Sequence, residues 1–297
     1  MTGRTLLTVL LVLLSPAALA APVKVVASFS VLGDIVRQIA GDHAVVVTLV
    51  GPDGDAHTFD PSPADAKQLA DAALVVSNGL GIDVWIERLA KSADYKGAVV
   101  VASDGIQARH MTEEEGEVKK EITDPHAWQN LQNGAIYVRN IEAALEQADP
   151  ANAAAYKQAA EKYTGELLAL DAEVRRDIAA VPKAKRRVIT SHDAFGYFGA
   201  AYGVDFLAPE GISTETEPSA GDVAKLVDQI RAEHIKSLFI ENMTDARLVT
   251  IIGKETGAVV GGRLYSDALS PPDGPAPTYI AMFKNNVPKL IEGMARN

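Results

Sequence analysis

A chain of 297 residues with a formal net charge of −11 and no cysteine excludes several classes at once. A net acidic protein is a poor candidate for nucleic acid, where basic stripes are the expected footprint, and without thiols there are no disulfides, thiolate ligands or cysteine nucleophiles. The length suits one large α/β domain or two of ordinary size.

Residues 1–20 read as an export signal. Arg4, the apolar run from Leu6 to Leu14 and the small-residue pattern Ala18-Leu19-Ala20 form its three parts, with cleavage expected after Ala20. That run is too short to span a bilayer, and no other stretch approaches the roughly 18 apolar residues needed. The mature protein is therefore expected to be periplasmic, soluble and monomeric. With no cysteine to carry a lipid, it is expected to have no membrane anchor.

Short β-branched runs follow at Lys24–Ser28, Val45–Leu49, Leu74–Ser77 and Ala98–Val101, with helical patterns at Val31–Ala40 and Pro63–Ala72. Turn signals punctuate them: Gly51-Pro52-Asp53-Gly54, Asn78-Gly79 and Ser103-Asp104-Gly105. Such alternation predicts a mostly parallel sheet covered on both faces. Residues 108–123 are rich in glutamate and poor in apolar side chains, which predicts a mobile surface loop.

From Ala154 to Val181 the pattern changes. Tyr156, Tyr163, Leu167, Leu170, Val174, Ile178 and Val181 recur at helical spacing until Pro182. One helix of that length reaches roughly 40 Å. Beyond it the alternation resumes at Arg187–Thr190, Val204–Leu207, Ser237–Ile240 and Ala258–Val260. The organisation read from this is a signal at 1–20, an N-terminal α/β lobe at 21–153, a linking helix at 154–181 and a C-terminal α/β lobe at 182–297. A single continuous sheet with an inserted helix is the alternative. In two such lobes a ligand is expected in the cleft, at the C-terminal ends of the strands.

Six histidines are present: His43, His57, His110, His126, His192 and His234. Three of them, His57, His126 and His192, lie in loops or element ends where parallel strands deliver residues to a cleft. Asp267 follows the last β-like run and could join them. Imidazole suits zinc, copper, iron or nickel, whereas carboxylate suits manganese or magnesium. Three imidazoles and a carboxylate would make a tetrahedral zinc site plausible. Spacing alone does not establish it, since the four are far apart and no His-Glu-x-x-His is present. His43, His110 and His234 read as surface residues. Ser191, His192 and Asp193 are adjacent, and neighbours on one loop cannot form a nucleophile–base relay.

Ordered motifs then carry a resemblance. They are His57-Thr58-Phe59-Asp60-Pro61-Ser62-Pro63, Leu74 to Gly81 with Trp85, Asp124-Pro125-His126-Ala127-Trp128, Ser191 to Phe198, Ile212 with Glu217-Pro218-Ser219, and Lys254 to Ala258. Together the chain resembles the zinc/manganese-type solute-binding proteins of metal ABC importers, the cluster A-I family. The resemblance implies two α/β lobes joined by one rigid helix, with one divalent metal held between them by His57, His126, His192 and Asp267. It implies capture of the ion, delivery to an inner-membrane ABC permease and no enzymatic activity; another periplasmic protein is a possible metal donor. Manganese-selective relatives tend to carry glutamate where this chain has His192, so the expected cargo is Zn2+, with Mn2+ as the alternative. An iron chelate and a zinc hydrolase with an open coordination position are more distant readings. Metal-bound histidines usually donate their second ring N–H to a carboxylate; Asp124, Asp193 and Glu241 are the candidates by motif. Asp193 has a second reading, as the cap of a helix opening at Ala194. One departure is the acidic segment, which is short and holds only His110 where zinc-type members often have a histidine-rich loop. With ordinary imidazoles, affinity is expected to fall as pH drops through about 6.5.

Overall fold

The computed structural model describes residues 21–115, 118–216 and 218–297; the expected export signal lies outside them. Four parallel strands build the first sheet: β1 (Val23–Phe29), β2 (Ala44–Val50), β3 (Leu74–Ser77) and β4 (Ala98–Val101), in the order β2-β1-β3-β4. Between them run α1 (Ser30–Ala40), α2 (Pro63–Ala70) and α3 (Trp85–Ser92). The central strands β1 and β3 are almost wholly apolar and buried, as expected where helices cover both faces.

Next comes an antiparallel pair, β5 (Arg109–Glu115) with β6 (Val118–Asp124). Residues 108–123, read from composition as a mobile surface loop, thus contain two paired strands. The register sets residue 113 opposite 120 and 114 opposite 119. Charge composition alone concealed it.

Helix α4 (Leu131–Ala148) leads into α5 (Ala153–Ala179), the long helix. Its buried stripe runs through Tyr156, Tyr163, Leu167, Leu170, Val174 and Ile178. Buried Asp171 adds polar anchors. It accepts hydrogen bonds from Gln132 in α4, from Arg175, and from the Tyr202 hydroxyl. These donors outweigh the burial that would raise its pKa and hold the carboxyl below its ordinary range.

The second sheet is again parallel: β7 (Arg187–Ile189), β8 (Asp205–Leu207), β9 (Ser237–Glu241) and β10 (Val259–Leu264), in the order β8-β7-β9-β10. It repeats the topology of the first. Helices α6 (Gly196–Tyr202), α7 (Ala220–Glu233), α8 (Ala246–Thr256) and α9 (Tyr279–Arg296) complete the chain. The main apolar core is continuous through both sheets, from Val26 and Leu145 through Leu170 to Val188, Phe239 and Leu290. Close approach matters at Gly134, where an added Cβ would lie 2.8 Å from the Tyr279 hydroxyl oxygen, so α4 and α9 pack tightly there. Among the described residues, no helix is long and apolar enough to cross a membrane.

Candidate metal centre

The loops that leave the C-terminal ends of β2, β7 and β10 carry His57, His192 and Asp267, where ligands sit in open parallel sheets. His126 arrives by another route, two residues beyond the end of β6. The structure brings all four together. One donor atom from each lies within 4.8 Å of the others. His126, His192 and Asp267 are 0% exposed, and the His57 side chain is 5% exposed.

Asp267 is the hub. Its Oδ2 lies 3.1 Å from His192 Nε2 and 3.3 Å from His57 Nε2, and its Oδ1 lies 3.6 Å from His126 Nε2. The Nε2 atoms of His57 and His126 are 3.3 Å apart. The three imidazole centroids are separated by 5.3 to 5.8 Å, so the rings converge on one point. For metal–ligand bonds of about 2.05 Å, a tetrahedron has edges of about 3.3 Å. Four of the separations, 3.1 to 3.6 Å, lie near that edge, within a cluster whose donor atoms all fall inside 4.8 Å.

The far side of two rings is also occupied. His126 Nδ1 is 2.9 Å from Asp124 Oδ1, which accepts the His126 backbone N–H as well, at 3.0 Å. His192 Nδ1 is 2.8 Å from Glu241 Oε2, while Glu241 Oε1 accepts the His192 backbone N–H at 2.9 Å. Asp124 thus holds both its loop and its ring by hydrogen bonds, whereas Glu241 hydrogen-bonds the His192 backbone and meets the ring as a close charge contact, with neither His192 Nδ1 nor Glu241 Oε2 in a hydrogen bond among the described residues. Asp193 has no such place. Its backbone N–H donates to Gly211, and no hydrogen bond or ion pair joins its carboxylate to these rings among the described residues. Nor does it cap a helix: α6 opens at Gly196, with Phe195 at its N-cap. Ser191 Oγ accepts from the Glu241 backbone N–H, which removes it further from a nucleophile's role.

The buried charges perturb one another. Burial alone would lower the pKa of His126, but the Asp267 charge and the Asp124 carboxylate outweigh it and push it up to about 9. His192 is raised well above its ordinary value, with Glu241 and Asp267 overriding the same effect of burial. Burial would raise Asp267; the facing His126 and His192 instead hold it far below the usual carboxylate range.

Several supporting residues were not assigned to the site from the sequence. The Trp128 indole and the Gln129 amide both donate to the Ser266 carbonyl at 2.8 Å, tying the His126 segment to the Asp267 loop. Asn286 in α9 pairs with both backbone groups of Tyr265. Asp55 bridges the two halves: Oδ1 accepts the His57 backbone N–H at 2.9 Å and Oδ2 accepts the Thr214 hydroxyl at 2.6 Å. Their partners are distant in sequence, so only the fold reveals them. His110 lies outside the cluster, with its ring 3.6 Å from Glu121 and 3.3 Å from the Thr123 hydroxyl.

Two parallel sheets bridged by a long helix, with three imidazoles and a carboxylate buried between them, define a solute-binding protein for divalent metal. Residues 25–293 match the family described as zinc-uptake complex component A, periplasmic, and the chain belongs to that family. The metal ABC transporter substrate-binding lipoprotein SsaB of Streptococcus sanguinis is 33% identical over 279 residues, covering 92% of this chain and 89% of that protein. The iron-binding protein YfeA of Yersinia pestis is 35% identical over 283 residues, covering 95% and 89%. Manganese-binding lipoproteins are among the other relatives. Among solved structures, the periplasmic zinc binding protein TroA of Treponema pallidum superposes with a TM-score of 0.85 at 28% identity, covering 92% of this chain and 99% of that one. The chain is thus a substrate-binding component of a metal ABC importer, with a permease as partner, and it is not an enzyme.

Proposed function

We propose that the cargo is zinc, held by His57, His126, His192 and Asp267 and delivered to an inner-membrane permease. The observation that carries this reading is the convergence of three imidazoles and one carboxylate within 4.8 Å, almost wholly shielded from water. Imidazole-rich donor sets favour zinc over manganese, which prefers more oxygen ligands. Four protein donors close the coordination shell and leave no activated water, which suits carriage rather than catalysis. In this reading residues 21–153 and 182–297 are the two lobes and 154–181 the helix between them. The mature protein is a soluble periplasmic monomer. Unlike relatives named as lipoproteins, this sequence holds no cysteine to carry a lipid.

X-ray absorption at the zinc edge of the loaded protein tests the ligand set. The expected result is four-coordinate zinc with three imidazoles and one oxygen donor. Fewer imidazoles, or a sixfold oxygen-rich shell, would overturn the assignment.

A further inference from the structure

Asp124 orients His126, and its own placement is set from the β5–β6 pair. It is fully buried, yet hydrogen bonds engage only one of its oxygens, Oδ1. Its Oδ2 has no hydrogen-bond donor among the described residues. The cation facing that oxygen is Arg109, whose Nε lies 3.6 Å away and is likewise without a hydrogen-bond partner. Arg109 and Asp124 are cross-strand partners where β5 begins and β6 ends, so strand pairing brings the two charges together.

Helix α6 holds this ion pair from the other side. The Arg109 guanidinium lies over the Tyr197 ring, 5.7 Å from its centroid. The Tyr197 hydroxyl accepts the Arg109 backbone N–H at 2.9 Å and donates to the Asp124 carbonyl at 3.2 Å. Gly196 leaves the space: a Cβ there would lie 2.6 Å from Asp124 Oδ2 and 3.3 Å from Arg109 Nε. A buried carboxylate oxygen stripped of the cation that faces it is strongly disfavoured. It would rotate toward other donors and release Nδ1 of His126.

We infer that Arg109 is a positioning residue for metal capture: it holds the Asp124 carboxylate against His126 and so fixes the direction in which His126 offers Nε2. The inference rests on His126 being a ligand. The acidic β5–β6 pair then has a structural task, carrying a cation to the back of the metal centre.

The test is competition of the mature full-length protein with a chromophoric chelator for zinc, on wild type, Arg109→Met, Arg109→Lys, Asp124→Asn, the Met/Asn double variant and His126→Ala. Changes behind a metal ligand typically cost 10- to 100-fold in affinity. Arg109 acts one contact further out, so Arg109→Met should weaken zinc about tenfold and Arg109→Lys by less than about threefold. Because Arg109 acts through Asp124, its removal should add little in the Asp124→Asn background. Cobalt-loaded Arg109→Met should also show altered d–d absorption. A purely structural role for Arg109 would lower the melting temperature of the metal-free protein while leaving affinity and spectrum unchanged, and that result would overturn the inference. Full additivity with Asp124→Asn would do the same. If Arg109→Met does not fold, Arg109→Gln against Arg109→Lys carries the same comparison. Zinc binding undiminished in His126→Ala would show that the ligand set is wrong, which is distinguishable from a failure at Arg109 alone.

Discussion

Zinc binding should be coupled to release of about two protons at neutral pH, because the metal-free centre is held together by them. A ring with a pKa of about 9, as at His126, is neutral in only about 1% of molecules at pH 7. Stripping its proton costs about 3 kcal/mol, or about a hundredfold in apparent affinity. His192 is raised in the same direction and supplies the second proton, whereas Asp267 is already ionised and supplies none. The two rings share Asp267 and titrate as a pair, so the coupled slope is the quantity to read. Apparent affinity should fall more than tenfold between pH 8 and 7, and again between pH 7 and 6, because more than one proton is displaced. Ordinary imidazoles would give a nearly flat profile above pH 7, so this window separates the two accounts. Calorimetry in buffers of different ionisation enthalpy counts the protons, and competition titrations across the range give the slope. No proton release together with unchanged affinity from pH 8 to 7 would refute the reasoning.

Stability of the metal-free protein should follow the same groups. The raised His126 contributes fully below its unfolded value of 6.5 and loses that contribution as pH rises through about 9. The depressed Asp267 contributes above 3.8 and is lost in acid. The metal-free protein should therefore melt highest between 3.8 and 6.5, whereas the increment in melting temperature given by zinc should grow from pH 6 to pH 8.5; an increment that shrinks over that range would contradict this. His192→Ala should abolish tight zinc binding while His110→Ala leaves it nearly intact, and equal losses in a competition titration would move the β5–β6 pair into the site. Thr214→Val removes the hydroxyl that Asp55 accepts across the two halves. At about 1 kcal/mol for that hydrogen bond, zinc should leave about fivefold faster in a chelator chase, and an unchanged rate would show that the bond does not restrain opening.

Much of this architecture was legible before the structure. Strand–helix alternation announced the parallel sheets, and the apolar stripe from Tyr156 to Ile178 announced the long helix, which runs Ala153–Ala179. Both signals are local, set by burial periodicity. The gathering of His57, His126, His192 and Asp267 was not local, and motif resemblance rather than spacing picked them out. Asp124 and Glu241 lie against their rings as the motifs suggested, but Asp193 does not, because backbone direction within a loop is invisible to composition. The β5–β6 pair is not legible in composition, because a charged segment gives no apolar alternation to mark its strands, and only the backbone register reveals them. Arg109, Asp55 and Asn286 stayed hidden for another reason: each acts on a partner brought near only by the fold.

The most direct test is the metal content of the purified mature protein, followed by competitive titration with zinc, manganese and iron. One tightly held zinc per chain, displaced poorly by manganese or ferrous iron, is the predicted result. Manganese or iron preference, or no bound metal under conditions that saturate the site, would contradict a zinc centre built on His57, His126, His192 and Asp267.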